Sequence, residues 1–136
     1  MDRILVPLDG SSQAEAALEH AFEMFPDAQI HVLNVVQVTS LPEDGTESVA
    51  SLAEQRSSEV LQTATEIAAD RDRDIETHAG EGHAAKTIVS FAEDNDIDHI
   101  VMSTTGRSGI QRLLLGSVAE SVVRRAPCSV TVTHGE

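Results

Sequence analysis

Arg3-Ile4-Leu5-Val6-Pro7-Leu8-Asp9-Gly10-Ser11-Ser12 opens the chain with a near-continuous apolar run that breaks into a polar, glycine-containing turn. A strand with one face in water alternates apolar and polar residues, whereas a strand covered on both faces by helices is apolar at successive positions, so this run reads as a parallel strand at the centre of a sheet. Directly after the turn the period changes. Ala14, Ala17, Leu18, Ala21, Phe22 and Phe25 recur at helical offsets, which predicts a helix opened by a Ser12-x-x-Glu15 capping box and stopped by Pro26. Strand, tight turn and helix in that order form the first half of a βαβ unit.

Outward from this segment the alternation repeats. Asp98-His99-Ile100-Val101-Met102 is a second near-continuous apolar run, and Ile30 to Val36 and Ser129 to Thr133 are two more strand candidates. A fifth, Asp74-Ile75-Glu76-Thr77-His78-Ala79, is polar enough to belong at a sheet edge. Helical spacing links Val49, Leu52, Ala53, Val60, Leu61, Ala64, Ile67 and Ala68, with a gap near Arg56. It also links Ala84, Ala85, Ile88, Val89 and Ala92, and then Val118, Ala119, Val122 and Val123. The order βαβαβαβαβ predicts a doubly wound, Rossmann-like α/β domain over residues 1–136: a five-stranded parallel sheet of order 3-2-1-4-5 with right-handed crossovers and helices on both faces. Residues 37–48, with Thr39, Ser40, Pro42, Asp44, Gly45 and Thr46, read as a loop after the second strand, either a lid or a variable excursion.

Charge narrows the function classes. The chain has 23 acidic and 9 basic residues, with Lys86 its only lysine, for a formal net charge of −14. Such a surface repels phosphate polymers and anionic bilayers, which argues against nucleic-acid or membrane binding. The acidity, the missing lysines and an aromatic content of 2% are read as adaptation to high salt, pointing to a halophilic archaeon; an ordinary acidic bacterial protein stays open as the alternative. No apolar run approaches the ~20 residues that span a bilayer and the N-terminus shows no signal-peptide pattern, so a cytoplasmic protein is expected. Cys128 stands alone, and the six histidines are scattered without zinc-like spacing, so no metal site is expected.

A doubly wound sheet binds its ligand beyond the carboxyl ends of the strands where strand order reverses. The two segments expected there are the turn Pro7 to Ser12 and the loop from Ser103 to Ser117 after the fourth strand. From His99 to Gly135 the only acidic residue is Glu120, against four arginines, Arg107, Arg112, Arg124 and Arg125. Gly106, Gly109 and Gly116 permit close backbone approach, hydroxyls supply donors, and Ser117 begins a helix whose free amides favour anions. A phosphate site is the natural reading. Plainer roles stand beside it: Ser117-x-x-Glu120 is also a capping box, Gly106 and Gly109 are typical turn residues, Asp9 suits a helix cap, and Arg124 and Arg125 complement a helix dipole.

These residues carry a family resemblance over essentially the whole chain. Ile4-Leu5-Val6-Pro7-Leu8-Asp9-Gly10-Ser11, Gly106-Arg107-Ser108-Gly109, Leu113-Leu114-Leu115-Gly116-Ser117-Val118-Ala119-Glu120 and Ala126-Pro127-Cys128-Ser129-Val130 together resemble the universal stress protein family. Its nucleotide-binding branch has a phosphate loop of the form Gly-x2-Gly-x9-Gly-(Ser/Thr); here Gly106 and Gly116 match with nine residues between them and Ser117 following, while Ser103 replaces the first glycine and Thr105 the frequent histidine.

The resemblance implies that Pro7, Leu8 and Asp9 lie beside an adenosine, with the Asp9 carboxylate on a ribose hydroxyl or the adenine. It also implies that Val35 offers its backbone to the adenine edge. Gly106, Gly116, Ser117 and Val118 would wrap the phosphates, with Thr105 and Arg107 close by, and Met102, Ser103 and Gly109 complete the candidate set. The ligand implied is ATP or AMP, with Mg2+ bridging the phosphates. Pairing of two copies through the last strand, at Val130 and Val132, is also implied. Three function classes follow. One is a nucleotide-binding regulatory or stress-response dimer that is not an enzyme; the second is a slow ATP hydrolase, although the lysine of a Gly-x4-Gly-Lys-(Ser/Thr) loop is missing; the third is a ligand-free dimeric interaction module.

Overall fold

The computed structural model describes residues 2–36, 46–104 and 115–134, the side chains of residues 46–51 excepted. Nine elements alternate along them: β1 (Arg3–Pro7), α1 (Ser12–Met24), β2 (Gln29–Val36), α2 (Thr46–Asp70), β3 (Ile75–Glu81), α3 (Ala84–Asp94), β4 (His99–Ser103), α4 (Ser117–Arg125) and β5 (Ser129–Thr133). The strands form one parallel sheet of order β3-β2-β1-β4-β5. This is the doubly wound arrangement expected, with β1 central and the polar β3 at an edge.

Successive residues of a strand point to opposite faces, and the apolar run of β1 serves both. Ile4 and Val6 join Ile30, Val32 and Val101 against Ala14, Ala17, Leu18, Ala21 and Phe22 of α1 and Ala64 and Ala68 of α2. Leu5 joins Leu33, Ile100 and Met102 on the other face, against Ala85, Ile88 and Ala92 of α3 and Ala119 and Val122 of α4. Ile4, Leu5 and Val6 are all fully buried. The small residues on the inner helix faces let α1 and α2 sit close to the sheet, where bulkier side chains would hold them off.

Three local expectations are corrected. The cap of α1 is Ser11, not Ser12: the Ser11 hydroxyl accepts from the Ala14 amide at 3.1 Å. Gly10 turns the chain at φ +90° and the Asp9 carboxylate accepts from the Ser11 amide at 2.9 Å, so the helix starts one residue earlier than the box required. Next, α2 runs unbroken through the gap at Arg56, because the polar Ser57, 6% exposed, occupies the inward position that the helical pattern would give to an apolar residue. That helix also takes in Thr46, Glu47 and Ser48, which composition places in the loop; residues 37–45 lie outside the described residues. Finally, β3 extends to Glu81, since its pairing with β2 continues to Val36↔Glu81.

The end of α1 is held from a distance. Phe25 caps it, its amide donating to the Ala21 carbonyl, and Pro26 follows. The Arg73 guanidinium donates to the carbonyls of Phe22, Phe25 and Ala28 at 3.1, 3.0 and 3.2 Å and stands 5.1 Å from the centre of the Phe22 ring. A cation there donates to carbonyls at the helix end, of which that of Phe25 also accepts from the Ala28 amide at 3.3 Å, and complements the helix dipole. No helix among the described residues is long and apolar enough to cross a membrane.

Candidate nucleotide site at the carboxyl ends of the strands

β1 lies between β2 and β4, so the chain moves outward from it in one direction through β2 and β3 and in the other through β4 and β5. The crevice therefore opens above β1 and β4. Parallel pairing sets the heights of the loops. Pro7 pairs with Leu33, and Leu5 with Ile100. Continuing these registers by two to four residues brings Asp9 level with both Val35 and Thr104, so the three segments end on one rim.

The turn after β1 is held by the strand beside it. The Leu8 amide donates to the Leu33 carbonyl at 2.9 Å, and the buried Asn34 side chain donates through Nδ2 to the Leu8 carbonyl at 2.8 Å. Both backbone polar groups of Leu8 are thereby satisfied out of water, and its side chain is buried. Asp9 is half-buried. One of its oxygens, Oδ1, holds the Ser11 amide; Oδ2 has no hydrogen-bond partner among the described residues. A carboxylate oriented through one oxygen and open at the other suits a hydroxyl donor such as a ribose.

Across the crevice, the Thr104 amide donates to the Thr133 carbonyl at 2.7 Å and the Gly116 amide to the Thr104 carbonyl at 2.6 Å. The two ends of the loop after β4 are thus tied together, delivering α4 beside the strand it left. Gly116, at φ −64° and ψ 161°, is the N-cap of α4 and brings no side-chain acceptor. Ser117 is consequently the first helical residue rather than the cap, and the Ser117-x-x-Glu120 box does not form. Glu120 instead accepts from Arg124 at 3.0 Å, one turn along the same helix. With no capping side chain, the first-turn amides are the donors an anion would meet, at the positive end of the helix dipole.

The candidate residues are placed as follows. Pro7 ends β1 and Val35 lies near the end of β2, both half-buried; Met102 and Ser103 end β4 and are buried; Gly116 and Val118 are half-buried and Ser117 is exposed. Asp9, Val35 and Ser103 lie at or just past the carboxyl ends of their strands and Gly116 is tied to Thr104 there, whereas Met102 belongs to the core beneath them. Thr105, Gly106, Arg107 and Gly109 lie outside the described residues. Of the arginines assigned to helix ends, Arg124 and Arg125 occupy the last turn of α4, the dipole-complementing position. Asn34 was missed as a positioning residue, although an amide inside Val32-Leu33-Asn34-Val35-Val36 is the signal that marks it.

A second cluster, also missed, sits nearer the start of β2 and β3. His31 and His78, 47 positions apart, bring Nδ1 and Nε2 within 3.1 Å, with Glu76 Oε1 at 3.9 and 4.0 Å from those atoms. The expectation of scattered histidines fails for this pair, because strand pairing aligns what the sequence separates. Burial lowers the pKa of His31 below the usual imidazole value, opposed by the nearby Glu76 carboxylate.

Comparison with known proteins agrees with the fold. The sequence profile of the universal stress protein family matches residues 1–134. A universal stress protein of Methanocaldococcus jannaschii is 38% identical over 136 residues, covering 96% of this chain and 80% of that protein. The solved structure of universal stress protein UspA from Lactobacillus plantarum superposes with a TM-score of 0.87 at 26% identity, over 97% of each chain. A family protein from Arabidopsis thaliana, solved with AMP bound, superposes with a TM-score of 0.76 at 16% identity, over 98% of this chain and 91% of the other. A profile matching nearly every residue, an archaeal relative and a shared sheet order leave one assignment: the chain belongs to the universal stress protein family.

Proposed function

We propose that this protein binds an adenine nucleotide, ATP or AMP, and acts as a regulatory stress-response homodimer in the cytoplasm rather than as a dedicated enzyme. The observation that carries the reading is the uncapped start of α4 at Gly116, tied by the Thr104 carbonyl to the rim that also bears Asp9 and Val35. In this reading the amides that follow Gly116 receive the phosphates, Asp9 Oδ2 accepts from the ribose or adenine, and the Val35 backbone meets the adenine edge. The family resemblance sets Gly106 against the phosphates with Thr105 and Arg107 close by; these three and Gly109 lie outside the described residues. Mg2+ would offset the phosphate charge of ATP beside so acidic a chain. The AMP held by the Arabidopsis protein supports the ligand class.

The test is mass spectrometry of ligand released from the purified, denatured protein, followed by calorimetric titration with Mg-ATP and with AMP. Gly116 has φ −64° and ψ 161°, a conformation valine adopts without strain, so Gly116→Val should fold while its side chain blocks the phosphates. Loss of binding in the folded variant is expected. Undiminished affinity would reduce the loop to a turn, an empty site in the wild type would favour an interaction module, and ADP accumulating during incubation would favour a hydrolase.

A further inference from the structure

The cluster of His31, Glu76 and His78 does not belong to the nucleotide site. Val35 stands four residues beyond His31 on β2, so the two lie roughly 13 Å apart along the strand. His31 pairs with Glu76 across β2 and β3, and Leu33 with His78. Positions two apart on a strand share a face, so all three side chains project from the side of the sheet that carries α3. Phe91 of α3 walls the cluster, its ring centre 4.7 Å from that of His78 and 6.2 Å from that of His31. His31 is buried to a side-chain exposure of 9%, while His78 and Glu76 rise to 29% and 54%, which leaves a path from solvent along the β3 edge.

Without a metal the facing nitrogens share one proton in a 3.1 Å hydrogen bond, and Glu76 Oε1 stands 3.9 and 4.0 Å from them, beyond hydrogen-bond distance. Gln29 already holds one Glu76 oxygen at 3.0 Å, leaving Oε1 turned toward the histidines. A divalent ion would take both facing lone pairs and the free carboxylate oxygen together.

We propose that His31 Nδ1, His78 Nε2 and Glu76 Oε1 form a site for a first-row transition-metal ion, Zn2+ above all, with a fourth position open to water or another donor. Zinc bonds of about 2.0–2.1 Å at tetrahedral angles place ligand atoms about 3.3 Å apart. The imidazole pair at 3.1 Å is already near this spacing, and the carboxylate reaches it by a sub-ångström movement of a half-exposed side chain. Two nitrogens and one oxygen suit zinc, whereas calcium and magnesium call for oxygen. The ligands stand on paired strands, so the ion would clamp the edge strand β3 to β2. Metal that binds only the folded chain raises its stability.

The experiment uses the intact protein, freed of metal by dialysis against a chelator. Calorimetry with Zn2+ should give one ion per chain, and Co2+ should give the visible absorption of a four-coordinate site. Zn2+ should also raise the melting temperature. His78→Gln should abolish all three signals. Glu76→Gln, at a half-exposed position and checked for an unchanged fold by circular dichroism, should weaken Zn2+ binding at least about tenfold, the loss of one ligand worth more than ~1.4 kcal/mol. His20→Gln and His134→Gln, both at exposed positions, should change none of them. The absence of stoichiometric Zn2+ uptake, uptake unchanged in both His78→Gln and Glu76→Gln, or loss of uptake on replacing His20 or His134 would overturn the proposal.

Discussion

Replacing Asn34 by aspartate keeps the size and shape of the side chain and removes the donor that holds the turn after β1. Asn34 is 7% exposed and its Nδ2 lies 2.8 Å from the Leu8 carbonyl. With an ionised aspartate, that contact becomes oxygen against oxygen. The buried carbonyl loses its partner, which costs about 1–3 kcal/mol, and a buried carboxylate without a cation costs more. A total near 3–4 kcal/mol is expected at neutral pH, or roughly 10–15 °C in melting temperature for a chain of this size.

The penalty depends on pH with a definite sign. The protonated acid can donate to Leu8 as the amide does, so burial and this hydrogen bond raise the folded-state pKa of the introduced carboxyl group above its unfolded value. The cost is then full above the folded pKa, shrinks as pH falls through it, and vanishes below the unfolded pKa. Urea melts of Asn34→Asp and wild type, compared at each pH between about 8 and 4, isolate this term from the titration of the other carboxylates. Nucleotide affinity should fall in the same variant, since Asp9 follows Leu8 directly. A stability difference below about 1 kcal/mol that stays flat across the range would show that the Asn34 tether does not hold the turn, and the positioning role would fail.

Two further outcomes follow from the surface. β5 ends the sheet with its outer edge unpaired among the described residues, and Val130 and Val132 are half-buried there, so Val132→Lys should convert the expected homodimer to monomers; light scattering that shows an unchanged dimer would move the interface elsewhere. With a net charge of −14, lowering salt from 1 M to 0.1 M lengthens the screening distance from ~3 Å to ~10 Å and should lower the melting temperature, and a flat or rising value would remove the halophilic reading.

The sequence alone determined the elements that depend on near neighbours. Ile4-Leu5-Val6 announces a strand buried on both faces, and Ala14, Ala17, Leu18, Ala21 and Phe22 announce the helix packed on it, because strand and helix periods are written within a few residues. The family resemblance was likewise legible in contiguous stretches of chain, Ile4 to Ser11, Gly106 to Gly109, Leu113 to Glu120 and Ala126 to Val130. Capping already strained this locality: Ser11 and Ser12 are both good caps, and the choice fell to Gly10 at φ +90° and to Asp9. Tertiary structure alone decided what strand register brings together. Asn34 reaches the Leu8 carbonyl across 26 positions, and His31 meets His78 across 47, through parallel pairing that no local pattern encodes. Register between distant strands is selected by the fit of whole buried faces, so the contacts it creates between polar side chains become visible only when the sheet is assembled.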